Sequence, residues 1–479
     1  VNRALLFAAL LVACHPEPQP TDDTDAPDTV DSVDTTDTLD PTDTVDTTDT
    51  VEDTDPSAHD ALSMPLEPTH TLDEFTSAET CAACHPDHAA QWAQSNHAYA
   101  MVDPVYQKLI GLRQASRHGL EDRFCTQCHS AIGVRTGDIS PGFSFDELDP
   151  LTMEGVTCQA CHAVSNVARP FNSGHELNPS GGMVGNLANP AVTPAHATVT
   201  SDLLSSPGFC AGCHDVAELN GLPLERPYEE WLTSPAYDAG QTCVDCHAPA
   251  WSGKAALGGP DRTGLHDHHF SGVDLPMLDG FLAPAERDEA VQRIGDLLVS
   301  AGDLAILAPQ EVPAGGEIDL LVTATNRIPA HNLPTGSTFL RQMWLDVTVT
   351  DALGGLVFRT GDLDANGDLR DWWSTLDPLG DHDLVAFHSN LIDPAGDPTF
   401  LPWEAIEMQT AAIPPLYPRT STFFVPTASD TPGPLHVEAR LRFRQVAPYV
   451  LRAVGMEDKV DGLVLWDIAV AEADIALLP

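Results

Sequence analysis

The sequence predicts a multidomain chain: a mainly irregular and α-helical part followed by an all-β antiparallel sandwich of immunoglobulin-like outline, both behind a long acidic tract. Three observations predict it. The pentad C-x-x-C-H occurs five times between Cys81 and His247, in a stretch rich in turn residues and poor in long periodic patterns. From Glu317 onward, runs alternate apolar and polar residues, which is the period of half-buried strands. Between Pro16 and Pro56 the chain is almost entirely Thr, Asp, Pro and Val, a composition that cannot bury a core.

The first element, residues 1–14, has a basic residue at Arg3 and an apolar run too short to span a bilayer, and ends in Leu11-Val12-Ala13-Cys14. This reads as a signal peptide with a lipoprotein cleavage box, after which Cys14 carries acyl chains. An exported protein, lipid-anchored to a bacterial membrane (the outer membrane, on its periplasmic or cell-surface side), is the expectation; an ordinary signal peptide with an incidental cysteine is the alternative. Residues 15–75 form a linker with an acidic side chain at every third position from Asp22 to Asp55, and no Lys or Arg occurs between Arg3 and Lys108. Self-repulsion extends such a tract into a spacer. The formal net charge of −49 argues against nucleic acid or an anionic surface as a partner and favours proteins with basic docking faces.

Residues 76–282 hold the five motifs: Cys81/Cys84/His85, Cys125/Cys128/His129, Cys158/Cys161/His162, Cys210/Cys213/His214 and Cys243/Cys246/His247. C-x-x-C alone serves zinc, redox dithiols and haem attachment alike. Here a histidine follows every pair, although histidine is only 20 of 479 residues. On one helical turn the two thiols point the same way and each can form a thioether to a haem vinyl group, while the next residue sets an imidazole under the iron. Zinc would need two pairs to close one tetrahedral site and gives no reason for the adjacent histidine. The reading is five covalently bound haem c groups, with ten of the eleven cysteines as attachment points and Cys14 left over, so no thiol remains for a structural disulfide. Five porphyrins in about two hundred residues supply much of their own core, so short helices and loops wrapped around them are expected.

The second axial position of each iron separates electron transfer from catalysis. Candidates are His97 in QSNHAYA, His118 before the second motif, His175 in SGHEL, His196 in TPAHAT and His268 in HDHHFSG. For each, a surface or propionate-bonding histidine is the plainer alternative. His331 in AHNLPTG, though in the β part, is a further candidate. Methionine is the rival ligand, but histidine is plentiful, and mainly bis-histidine, low-potential haems are expected. The basic cluster Lys108, Arg113, Arg117, Arg123 and Arg135 suits pairing with propionates, or an anion-attracting mouth beside an open iron.

Residues 283–302 read as a connecting amphipathic helix and residues 303–479 as the β-sandwich. Its strands are expected in EIDLLVTATN, MWLDVTVTDALGGLVFRTG (containing a hairpin), STFFVPT, LHVEARLRFRQ and LWDIAVAEADI. Within it Asp362, Asp364, Asn366, Gly367 and Asp368 form D-x-D-x-N-G-D, which resembles the first half of a calcium loop. The twelfth position is Trp373 rather than glutamate, so calcium stands against a plain acidic turn.

The ordered set CAACH, W-x-x-S-x-H-A (Trp92 to Ala98), CTQCH, GVTCQACH, FCAGCHD, YEEWLTS before TCVDCHAPA, and HHFSG resembles the multihaem cytochrome c superfamily that includes tetrahaem cytochrome c-554 and the haem domains of hydroxylamine oxidoreductase. The resemblance spans roughly residues 80–272. It implies His97 as a distal ligand and closely stacked haems. The chain departs in having five motifs and no C-x-x-C-K, the site of the active haem in most pentahaem nitrite reductases. The leading expectation is a pentahaem cytochrome passing electrons between respiratory redox partners. The alternatives are an oxidoreductase acting on a small nitrogen or sulfur compound at one five-coordinate haem, and an extracellular binding protein whose β-sandwich docks a partner or surface.

Overall fold

The structure, a computed structural model, describes residues 68–119 and 121–479, which lie within one compact unit. Cys14, the signal segment and most of the acidic linker fall outside the described residues. No helix among the described residues is long and apolar enough to cross a membrane.

The motif-bearing part is a succession of short helices started by local chemistry. Proline opens many of them, at Pro86, Pro104, Pro207, Pro227 and Pro235, where its missing N–H costs nothing. Ser77, Asp103 and Asp149 accept backbone N–H groups as N-caps. The longest helix of this part, Pro104–Arg117, ends where His118 turns left-handed at φ 54°. Small ribbons bridge the helices: Val164–Val167 with His175–Leu177, and Ala250–Lys254 with Asp261–His266, both antiparallel.

Helix Pro284–Ala301 follows, its first turn fixed by Ala283 N donating to Glu286 Oε2 at 2.7 Å. Ala290, Ile294, Leu298 and Ala301 form its buried stripe at helical spacing. It runs directly into strand Gly302–Leu307, the edge of a three-stranded antiparallel sheet whose centre is Glu317–Asn326 and whose far edge is Pro418–Pro426. A five-stranded sheet runs in the order Glu311–Pro313, Trp466–Leu478, Leu435–Arg444, Gln342–Thr350, Leu356–Thr360. The alternation seen in the sequence is realised as burial: Ile318, Leu320 and Val322 of one sheet and Leu345, Val347 and Val437 of the other meet in one cluster, which also takes in the helix stripe. One departure from an all-antiparallel arrangement is the short strand Glu311–Pro313, which pairs parallel to Trp466–Leu478. A third sheet of three short strands, centred on Ser389–Ile392, was not evident in the sequence because its strands are two to four residues long.

Candidate haem-binding site

Each motif sits on a single helical turn. The cysteines and histidines occupy or abut Ala78–Ala82, Asp122–His129, Cys158–His162, Pro207–His214 and Cys243–His247. In the first motif the turn is closed by Cys84 N and His85 N, both donating to Cys81 O at 3.0 and 2.9 Å. None of the ten motif cysteines is in a disulfide, and together with all five motif histidines they line one continuous cavity of about 1530 Å³.

Four of the five motif imidazoles are held by Nδ1 against a backbone carbonyl: His85 to Ala255 (2.6 Å), His129 to Ala100 (3.0 Å), His162 to Val184 (2.7 Å) and His247 to Ser271 (2.8 Å). Such a bond fixes the tautomer and leaves Nε2 as the acceptor for a metal.

A metal about 2 Å from each of two imidazole nitrogens sets the ring centroids about 6 Å apart. Besides His85 and His88, near neighbours in sequence at 6.4 Å, four pairs of histidines stand at that spacing: His85 with His196 at 6.2 Å, His97 with His214 at 6.1 Å, His162 with His268 at 6.1 Å, and His247 with His331 at 6.3 Å. Burial holds His97 and His268 down to about 3 and His331 to about 4, so these rings are neutral and able to ligate at ordinary pH. Against His129, by contrast, lies Tyr106, stacked at 3.9 Å and 5°. Among the described residues no second imidazole faces His129. The donor set therefore fits covalently bound haem.

Of the five distal candidates, His97, His196 and His268 reach such positions, and His118 and His175 do not. His118 caps its helix in the left-handed conformation and does not line the cavity. His175 has both nitrogens engaged, Nε2 donating to Phe209 O at 2.8 Å and Nδ1 lying 3.6 Å from Cys213 Sγ. His331, in the β part, completes the fourth pair.

The sequence order of the motifs is not their spatial order. The thiols of Cys81 and Cys158, of Cys128 and Cys213, and of Cys210 and Cys243 lie close enough together to perturb one another's pKa. Cys161 also lies close enough to Cys210 and Cys213 to raise their pKa. The first motif thus abuts the third and the third abuts the fourth, while the second and fifth each flank the fourth.

The W-x-x-S-x-H segment positions His97 locally. Trp92 Nε1 donates to Val156 O (2.8 Å), Ser95 caps helix Asn96–Tyr99, and His97 O accepts from Val156 N (3.0 Å), two residues before Cys158. A side chain on Gly155 would meet His97 O at 2.6 Å, and its φ of +72° also calls for glycine. The same device recurs at the fifth motif: Trp231 Nε1 donates to Gln241 O (2.9 Å), Ser234 caps helix Pro235–Asp238, and Ala236 O accepts from Gln241 N (2.9 Å), two residues before Cys243. Ala236 thus stands where His97 stands in the first copy. The repeat W-x-x-S at residues 92–95 and 231–234 was the signal available in the sequence.

Arg113, Arg117 and Arg135 of the basic cluster are engaged by protein groups. Arg113 is buried between Glu218 (2.8 Å) and Glu121 (2.9 Å) with Nη1 3.6 Å from Cys125 Sγ, and Arg117 donates to Trp403 O. In the D-x-D-x-N-G-D segment the acidic groups do not converge. Asp362 pairs with Arg370 (2.6 Å) and Asp368 with Arg452, while Asp364 accepts from Asn366 N, Asp368 N and Ser374 Oγ. Asn366 Nδ2 faces Thr375. Among the described residues no group of three or more His, Cys, Asp or Glu side chains is arranged to hold a metal ion.

Residues 80–163 match the family described as Cytochrome c554 and c-prime. Among solved structures, a penta-heme cytochrome c552 from Thermochromatium tepidum is similar with a TM-score of 0.57 and 21% identity, over 84% of this chain and 99% of that one. The CARDB domain of the PF1109 protein from Pyrococcus furiosus, in complex with di-metal ions, aligns at a TM-score of 0.15 and 11% identity over 37% of this chain and 86% of that one, too low to bear on the argument. No curated protein matches.

Proposed function

With a multihaem cytochrome c fold as the premise, we propose that this chain is an exported pentahaem c-type cytochrome that passes electrons between respiratory redox partners. The four imidazole pairs at 6.1 to 6.3 Å carry this reading, because an iron closed by two protein ligands is built for electron transfer and not for substrate. Bound haem supplies reversible one-electron storage. The polypeptide supplies the thiols, orients four motif imidazoles through backbone carbonyls, and surrounds the site with apolar walls that limit solvent access and so help set the haem potentials. The β part takes an immunoglobulin-like outline in this reading, and Cys14 tethers the chain through the acidic spacer, either face of the outer membrane being open to it.

A second reading rests on His129. With Tyr106 against it and no facing imidazole among the described residues, an iron held at the second motif keeps one position for a small ligand. That position would serve an oxidoreductase acting on a small nitrogen or sulfur compound.

Electron paramagnetic resonance of the oxidised protein, with carbon monoxide added to the reduced form, tests both. Low-spin signals from four irons and carbon monoxide uptake by the remaining one are expected. Uptake by several irons would overturn the carrier reading, and no uptake at all would remove the second.

A further inference from the structure

We propose that the β part serves as a ligand donor to the fifth motif, His331 supplying the axial imidazole opposite His247, and that Glu230 is the positioning residue that seats it. The inference rests on the haem reading above and gives the C-terminal part a role inside the redox core.

The segment 329–337 leaves the β part after strand Glu317–Asn326 and lies across the helices that precede the fifth motif. Its anchor is one carboxylate. Glu230, on helix Pro227–Leu232, accepts three hydrogen bonds from this segment: Asn332 N at 3.1 Å, Asn332 Nδ2 at 2.7 Å and Thr335 Oγ1 at 2.6 Å. These bracket His331 on its C-terminal side. On its N-terminal side Pro329 O accepts from Ala236 N at 3.1 Å. From within the β part, buried Asn326 donates to His331 O at 2.9 Å and to Ile413 O at 2.9 Å. Ser337 adds a bond to Glu225.

Ala236 leaves room for that segment. It occupies the position that His97 occupies in the first copy of the W-x-x-S device, and it has no imidazole to give. Its small, buried side chain instead admits the incoming segment, whose Pro329 it holds by a backbone bond. The ring of His331 then lies 6.3 Å from that of His247 at 24°. Outer groups that fix the backbone on both sides of a ligand set its reach and orientation, and their loss weakens ligation without removing the ligand itself. Glu230 is half-buried, and hydrogen bonds to a carboxylate are the strong kind, so removing it leaves three donors without their acceptor at once.

The test uses the full chain. Haem content by intact mass comes first: a parent chain with fewer than five haems would break the underlying reading, independently of His331. His331→Ala should then retain all its haems, bind one more carbon monoxide per chain than the parent, gain a high-spin signal, and return to low-spin on addition of imidazole. Glu230→Ala should show the same gain with His331 still present, and Glu230→Gln, which keeps one acceptor oxygen, an intermediate one. Should Glu230→Ala fail to accumulate, the double variant Asn332→Ala, Thr335→Val removes the donors from the opposite side and reads the same quantity. If His331→Ala takes up no more carbon monoxide than the parent, the ligand assignment is wrong. If His331→Ala does so but neither Glu230→Ala nor the double variant follows, Glu230 is only structural.

Discussion

At the scale of single residues, what distinguishes this molecule is how burial decides protonation. His388, just before strand Ser389–Ile392, lies away from the haem cavity; burial pushes it down to about 4, with only a hydrogen bond to the Met343 backbone opposing. Its Nδ1 has no partner among the described residues. A depressed folded pKa means the unfolded chain binds the proton first as pH falls. The His388 contribution to stability should therefore be flat above pH about 6.5 and decline by about 3 kcal/mol as pH falls to about 4. Chemical denaturation of parent and His388→Phe across that window checks this: the variant should lose that part of the slope, and parallel curves would refute it. The same scale shows what the sequence disclosed of the site. The gathering of the motif cysteines and histidines around one cavity, and the seating of His97 there, were legible because each is set by neighbours within a few positions, Trp92 and Ser95 in the last case. His196 reaching His85, and His331 reaching His247, were not, because nothing local ties residues so far apart in the chain. His118 looked placed by proximity to the second motif, yet a left-handed helix cap turns it away from the cavity.

At the scale of elements, the β part was legible in its strands and opaque in its connections. Glu317–Asn326 and Leu435–Arg444 coincide with runs whose alternation is strict because one face of each is buried. The segment between Leu356–Thr360 and Ser389–Ile392 has no such period, and it is organised instead by Arg370, which draws in Asp362, Asp377 and Asp381. The turn that leads into it depends on Gly361. Its φ is +76°, a Cβ there would run into Leu345 O, and its own carbonyl accepts from Trp344 Nε1 at 2.9 Å. Gly361→Ala should cost at least about 2 kcal/mol, since the left-handed strain adds to a clash with backbone that cannot yield. Gly396→Ala is the control: its φ is +88° but nothing lies within 4 Å, so only the strain of about 1 kcal/mol should appear. Equal losses in denaturation midpoint would show that the close approach to Leu345 is unimportant.

At the scale of the whole molecule, charge is the property that acts furthest. The full chain carries a formal −49, and within the described unit many cations are already committed: Arg113 to Glu218 and Glu121, Arg341 to Asp274, Arg440 to Glu438 and Asp467, Arg442 to Asp346. The surplus is what remains after every cation is counted, and pairing leaves few local positive patches, so an approaching protein meets a negative field. Such a field steers partners with basic faces and speeds their encounter, and dissolved salt screens it over about 10 Å at 0.1 M. Cys84 and Cys246, in the first and fifth motifs, are the exposed cysteines among the described residues, and the edges of those two motifs are the expected docking points. The rate of reduction by a small basic electron donor should therefore fall steeply as ionic strength rises from about 0.01 to about 0.3 M, whereas reduction by a neutral small-molecule reductant should not change. Stopped-flow absorbance in the Soret band reads both rates on the same sample. A flat salt dependence with the basic donor would mean that docking at these edges is apolar, and that the surplus charge keeps the chain soluble without selecting its partner.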